Sequence, residues 1–317
     1  MRLAVGVDLG GTNLRAGLVT EAGEVAAHVG RSTPARESGA ALLAALVEAI
    51  NVVRQEAHGE PVGVGVAVTG LLDLAAGRVR ESANVPGLDG LVLGPELSAR
   101  LGLPVWLEND VRAATLGEAW HGAGRGAGTL VAVFAGTGVG SGIMLQGKLW
   151  RGVSGSAGEV GPLILAERGL TSPWGQRGSL EALSSGPGLA TAYALLRQGR
   201  PLKGRVDNSL SAREVAAAAA RGEGLAQRVI ARGGRYLGRA VAAYVNIINP
   251  ERMILGGGVL SLGEIFWQGV ERGYREGVLG GPAAACRLVP AALGGESGVV
   301  GAAAMVFRYV DGVQFWL

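Results

Sequence analysis

Short apolar runs separated by glycine turns open the chain. Leu3 to Val7 reads as a buried strand and ends in Asp8-Leu9-Gly10-Gly11-Thr12-Asn13. Leu14-Arg15-Ala16-Gly17-Leu18-Val19 then alternates as a second strand, and Glu24 to Gly30 reads as a third. The period changes over Ala40 to Glu56. There Leu42, Leu43, Leu46, Val47, Ile50 and Val53 fall on one helical face. Val62 to Val68 predicts a buried strand, Gly94 to Leu101 a helix, and Pro104 to Leu107 a further strand. Glu108-Asn109-Asp110 stands at the end of that strand, and a helix follows through Ala113 to Trp120.

The second half restarts the pattern. Strands are predicted over 129–135 and 141–145, with a third at Lys148 to Trp150. Helices are predicted over Glu181 to Arg197, Ala212 to Ala220, Leu225 to Ile248 and Phe266 to Glu276. Arg252 to Leu255 is a short strand leading into Gly256-Gly257-Gly258, and Gly298 to Val310 is a last helix. A repeated three-strand start implies two related α/β lobes. The expected boundaries are 1–110 for the first and 111–297 for a larger second, with the segment from about 298 to 317 packing back on the first.

Composition narrows the class. The chain has 317 residues, 48% hydrophobic and 17% charged, with a formal net charge of +3. The basic residues are scattered, which does not favour nucleic acid. Cys286 is the single cysteine and suits a reducing compartment. The histidines, His28, His58 and His121, lie far apart, so a His/Cys metal cluster is not expected. Leu3 to Val7 is too short for a signal peptide, and no run reaches the roughly 20 apolar residues that cross a bilayer. A cytoplasmic protein is expected.

The glycine turns carry the candidate chemistry. Gly10-Gly11-Thr12 and Gly136-Thr137-Gly138 each follow an apolar strand and lead into another. Glycines let backbone N–H groups approach an anion, and threonine hydroxyls add donors. An ordinary hairpin turn is the competing reading of either turn alone. The strand–turn–strand context disfavours a dinucleotide fingerprint, which needs strand–turn–helix, and no Gly-Lys-Ser/Thr closes either loop. Asp110 has two readings, a base at a strand's carboxyl end or an N-cap of the next helix.

These blocks, in order, resemble the ROK family of bacterial sugar kinases and repressors. The match rests on Asp8 to Thr12, Asn84-Val85-Pro86-Gly87, Glu108-Asn109-Asp110, Gly136 to Gly142, Ala157-Gly158-Glu159-Val160-Gly161, Gly178-Ser179-Leu180-Glu181, and Gly256 to Gly258. The resemblance implies a two-lobed actin/hexokinase/Hsp70-like (ribonuclease H-like) α/β fold with the active site in the interlobe cleft. It implies ATP-dependent phosphorylation of a hexose hydroxyl, glucose first, with Asp110 as general base. Asn84, Asn109, Asp110, Glu159 and Glu181 match sugar-contacting positions. Gly10, Gly11, Thr12, Gly136, Thr137 and Gly138 match the phosphate turns, and Gly256, Gly257 and Gly258 the nucleoside turn. Asp8 matches the carboxylate that orients Mg2+ with ATP, through water. A homodimer is implied by the same resemblance.

One block departs from the family. The usual zinc ligands are a histidine after Glu-x-Gly and three cysteines in Cys-x-Cys-Gly-x-x-Gly-Cys. Here those positions are Pro162, Ser172, Trp174 and Ser179. None offers a thiolate or imidazole, so no zinc is expected, and packing by Pro173 and Trp174 is the expected replacement, with a mobile loop as the competing reading. The missing histidine contacts the sugar near its anomeric end in zinc-containing relatives, which leaves mannose, fructose and N-acetyl hexosamines open beside glucose. Polyphosphate as donor, and sugar binding without catalysis, also stay open. Seven residues precede Asp8, too few for the helix-turn-helix domain of the repressor branch, so no nucleic-acid partner is expected.

Overall fold

Strand β1 (Leu3–Leu9) is the centre of the first sheet in the computed structural model, which describes residues 2–57 and 59–317. His58 lies outside the described residues. β2 (Asn13–Thr20) and β3 (Val25–Ser32) continue as an antiparallel meander. Helix α1 (Gly39–Gln55), capped by the Ser38 hydroxyl, leads to β4 (Val64–Val68), parallel to β1. A hairpin of β5 (Leu71–Asp73) and β6 (Arg78–Glu81) precedes α2 (Leu93–Leu101). β7 (Val105–Asn109) joins parallel to β4 and runs directly into α3 (Asp110–His121), so the strand order is β3-β2-β1-β4-β7.

Side-chain alternation along β1 divides its two faces. Val5, Val7 and Leu9 share a core with Leu42, Leu46 and Ile50 of α1. Ala4, Gly6 and Asp8 take the other face, where Ala4 packs on Val299 and Ala303 of a terminal helix. Gly6 and Gly65 leave that helix room to lie directly on the sheet, since a Cβ on either would strike its carbonyl oxygens.

Strands β8 (Leu130–Ala135), β9 (Val139–Leu145) and β10 (Lys148–Leu149) begin the second sheet. Helices α4 (Leu180–Ser184), α5 (Gly186–Arg197), α6 (Ala212–Ala220) and α7 (Gly224–Ile248) follow. After them come β11 (Arg252–Gly256), α8 (Glu264–Gly277), α9 (Gly280–Ala285), β12 (Arg287–Pro290) and the terminal α10 (Ser297–Val310). The sheet order is β10-β9-β8-β11-β12. Gly234 and Gly238 of α7 face backbone of α8, and Gly269 and Gly273 of α8 face backbone of α7, so the two helices cross closely.

The chain divides into two units. One is Met1–Leu130 with Gly142–Ala157 and Ala291–Leu317; the other is Val131–Ser141 with Gly158–Pro290. The first unit therefore runs past the boundary expected after residue 110, and it holds more of the chain than the second. The reason is α3, whose Ala113 and Gly117 pack backbone to backbone on Gly301 and Ser297 of α10. The helix expected over Glu181 to Arg197 is broken at Ser185. That residue ends α4 and caps α5, its hydroxyl accepting from Gly188 N–H at 3.1 Å, with Pro187 just inside α5. Hairpin β5–β6, α9 and β12 have no counterpart in the sequence-based reading; each has six residues or fewer. Among the described residues no helix is long and apolar enough to cross a membrane.

Candidate active site

Parallel register sets the first group of residues. Asp8 pairs with Ala67 across β1–β4, and Ala67 pairs with Glu108 across β4–β7. Two strand spacings, about 10 Å, therefore separate the ends of β1 and β7. Asp8 lies on the α10 face, and a Cβ at Gly298 would stand 2.8 Å from Asp8 Cγ. The first turn of α10 thus meets the carboxylate, where a helix N-terminus favours negative charge. Arg15 is opposite in register, with its guanidinium 3.8 Å from Asp8 Oδ2. Burial, and then the neighbouring Asp110 charge, lift the Asp8 carboxyl to about 7.

Asp110 is the first residue of α3, not its cap. Asn109 is the cap, its Oδ1 accepting from Val111 and Arg112 N–H at 3.1 and 3.2 Å, while its amide nitrogen donates to Gly70 carbonyl at 3.4 Å. Asp110 Oδ1 accepts from Val111 N–H at 2.9 Å. Burial raises its carboxyl above the ordinary range, opposed by that bond and by the Arg112 charge.

The first phosphate turn is tight. Gly10 N–H donates to Asn13 carbonyl at 3.0 Å, and Thr33 donates its hydroxyl to Gly10 carbonyl at 2.7 Å and its N–H to Thr12 carbonyl at 3.0 Å. Thr12 is exposed at the tip. Gly11 abuts Asn84, where an added Cβ would come within 2.9 Å of Asn84 Cβ. The first unit therefore joins Gly11 to Asn84, and Asp8 to Asp110 by charge.

The second unit holds the other group. Gly136 N–H donates to Gly138 carbonyl at 2.8 Å, and Gly136 carbonyl accepts from Gly186 N–H, at the start of α5, at 2.8 Å. Thr137 is exposed at the tip. Glu181, in the first turn of α4, accepts from Val139 N–H at 3.1 Å, and a Cβ on Gly138 would meet the same oxygen at 2.7 Å. Burial raises the Glu181 carboxyl, opposed by that hydrogen bond, with Glu159 adding to the rise. Glu159 is exposed rather than buried in its small-residue run, so its charge stays in contact with water. Gly256 ends β11, and Gly257 has φ of 92° with its Cα against the Ala135 backbone, so only glycine fits between β11 and the end of β8. Gly258 starts a single helical turn.

Tyr244 of α7 is a site neighbour that sequence reasoning missed. Its hydroxyl is 2.6 Å from Ser141 Oγ, which donates to Gly158 carbonyl at 2.6 Å. Burial and the Glu159 charge both raise its phenol. Its position in a helical pattern carries no signal of that contact.

Hydrogen bonds hold the segment with the altered zinc positions. Ser172 N–H donates to Gln176 carbonyl at 2.9 Å, and the Ser172 hydroxyl donates to Gln176 Oε1 at 2.9 Å. Gly178 N–H donates to Leu170 carbonyl at 2.8 Å, and Arg205 donates to Pro173 carbonyl at 2.8 Å. Ser179 caps α4 through Ala182 N–H. The packing expected of Trp174 is only partial: the residue is 41% exposed. Serines at two former ligand positions anchor the backbone instead.

Magnesium with ATP is tested by the donors present. Mg2+ takes one or two carboxylates, several waters and phosphate oxygens. Asp8 and Asp110 are close enough for one charge to raise the other's pKa, and a divalent cation would relieve that repulsion. The residues fit the ion.

The comparisons agree along the whole chain. Residues 4–308 match the ROK family model. A glucokinase of Thermotoga maritima is 34% identical over 97% of this chain and 98% of its own. The crystal structure of a ROK hexokinase from Thermus thermophilus superposes with a TM-score of 0.82 at 33% identity, covering 98% of this chain and 99% of that one. A ROK family glucokinase from Streptomyces griseus, solved with glucose and AMPPNP, gives 0.81 at 29% identity over 96% and 99%. Sequence blocks, sheet order and these likenesses converge: the chain belongs to the ROK family.

Proposed function

We propose that this chain is an ATP-dependent hexose kinase that converts glucose to glucose 6-phosphate, with Asp110 as general base. The observation that carries the reading is the buried Asp110 carboxylate directly after β7, with Asp8 near the end of β1 close enough for the Asp110 charge to raise its carboxyl. Full-length similarity to glucokinases, one solved with a sugar and an ATP analogue, supports the substrate class.

Asp110 removes the proton of the attacking hydroxyl as that oxygen bonds to the γ-phosphorus and the bond to the ADP oxygen breaks. A base with a raised pKa holds that proton better than an ordinary carboxylate. Asn84, Asn109, Glu159 and Glu181 bind and orient the sugar hydroxyls. The amides of Gly11 and Gly138 and the hydroxyls of Thr12 and Thr137 grip the phosphates, Gly10 and Gly136 close the two turns with their own N–H bonds, and Gly256 to Gly258 admit the nucleoside. Asp8 would hold magnesium through water, with Asp110 beside it. When bound, the ion neutralises charge on the phosphate oxygens. The enzyme works in the cytoplasm, where ATP is supplied, as a homodimer by family resemblance; light scattering tests the oligomer.

With Pro162 at the usual histidine position, mannose, fructose and N-acetyl hexosamines stand as alternative substrates. ADP release across glucose, mannose, fructose, N-acetylglucosamine and N-acetylmannosamine tests the assignment. Absence of sugar-dependent turnover would leave a non-catalytic binding protein.

A further inference from the structure

Glu108 lies two residues before Asp110, is fully buried, and has no part in the chemistry above. Its Oε1 accepts from Asn109 N–H and from Arg112 Nε, both at 2.9 Å, so one oxygen holds the residue before Asp110 and the side chain of the second residue after it. Its Oε2 accepts twice from Arg151, at 2.8 Å from Nε and 2.6 Å from Nη2. Arg151 thus holds one oxygen while Asn109 and Arg112 hold the other, and charge-assisted bonds to both oxygens fix the plane of the carboxylate as well as its place.

Arg151 is itself held by the end of the chain. Its guanidinium stands 4.6 Å from the Trp316 ring and 5.7 Å from the Phe315 ring, and it donates to Tyr309 hydroxyl at 3.2 Å. The main chain of 315–317 adds alongside β10. Leu149 N–H donates to Phe315 carbonyl at 2.8 Å, Leu317 N–H to Leu149 carbonyl at 2.8 Å, and Arg151 N–H to Leu317 carbonyl at 3.4 Å. Tyr309 also stacks on Trp106 of β7, with ring centroids 5.3 Å apart.

We propose that Arg151, seated by the C-terminal segment Phe315–Leu317, is a positioning residue for Asp110 and acts through Glu108. The inference rests on Asp110 being the base. A buried ion pair is a poor source of stability compared with apolar side chains of the same volume. This one touches the Asn109 backbone just before the proposed base and the Arg112 side chain two residues after it, where a shift of about 1 Å can cost about a hundredfold in rate.

The test compares four full-length variants with the parent: Arg151→Met, Arg151→Lys, Trp316→Ala and Asp110→Asn. Arg151→Met leaves Glu108 its Arg112 partner. Its kcat is expected to fall at least about tenfold while the KM for Mg-ATP stays within about twofold, and Arg151→Lys recovers part of the loss. Trp316→Ala gives a smaller fall in kcat of about threefold with the melting temperature kept. Unchanged kcat in Arg151→Met overturns the proposal. So does a fall in which the KM for Mg-ATP rises in step, or one that lysine does not relieve. If Arg151→Met does not fold, Trp316→Ala decides: reduced kcat supports the proposal and parental kcat overturns it. Asp110→Asn separates the two claims. Its turning over normally removes the base itself; its being inactive beside a fully active Arg151→Met removes only the role of Arg151.

Discussion

Replacing Asp8 with asparagine should stabilise the ligand-free protein while abolishing its activity. The carboxyl is lifted from its ordinary 3.8 to about 7 by burial and by the charge of Asp110. At 1.36 kcal/mol per pKa unit, a rise of roughly three units is worth about 4 kcal/mol as a ceiling. The side chain is 21% exposed, so partial hydration lowers the figure to about 2–4 kcal/mol. The sign follows from linkage. The folded state binds this proton more tightly than the unfolded state, so the parent loses stability as pH rises from about 4 to 7, with the full penalty present above 7. Asparagine keeps the shape and cannot ionise. The stability difference between variant and parent should therefore be small at pH 4.5, grow through pH 7 and level off by pH 8. Denaturant unfolding at several pH values, followed by tryptophan fluorescence, measures it. Trp106 and Trp120 report on the unit that contains Asp8. A difference that does not vary with pH, or an asparagine variant less stable than the parent at pH 8, would refute the reasoning. The predicted rise would make the wild-type carboxylate an instance of stability given up for a functional charge.

Other outcomes follow from the same geometry. The pH profile of kcat/KM should fall on the acid side with a midpoint above the ordinary carboxylate range near 4, since burial raises Asp110 and a protonated base cannot accept the hydroxyl proton; an acid limb at or below about 4 would contradict this. Gly138→Ala should raise the KM for sugar more than that for ATP, because its Cβ would stand 2.7 Å from the Glu181 oxygen; steady-state kinetics against both substrates separate the two. Purified protein should contain no stoichiometric zinc, and chelator should leave its melting temperature unchanged. Ser172→Ala should cost about 1 kcal/mol by removing the hydroxyl bond to Gln176. Elemental analysis and thermal unfolding check the pair.

The glycine turns, the helix face of α1 and the carboxylate at the end of β7 were legible because each is a local pattern. Gly10 to Thr12 announces a tight turn wherever it sits, and Leu42, Leu46 and Ile50 announce one buried face. What stayed hidden depends on partners distant in sequence. Glu108 reads as one member of a motif until Arg151, 43 residues on, and the chain end are seen to close over it. Tyr244 meets Ser141 across 103 residues. Trp174 is large and apolar and reads as a packing residue, yet the turn from Ser172 to Gln176 satisfies its own backbone and leaves Trp174 41% exposed. The alternative reading of Asp110 as the cap of α3 falls one residue off, since Asn109 and Asp110 are both good caps and only backbone geometry separates them. The break at Ser185 was readable: serine, glycine and proline in succession interrupt a helix and start another.

ADP release with Mg-ATP and glucose, measured on the parent and on Asp110→Asn at equal folded concentration, tests the central claim most directly. The account predicts glucose-dependent turnover in the parent and a loss of about 10²–10⁴-fold in the variant, with glucose binding by calorimetry largely kept. Comparable turnover in both would remove Asp110 from the chemistry, and no turnover in the parent with any hexose would contradict the assignment as a kinase.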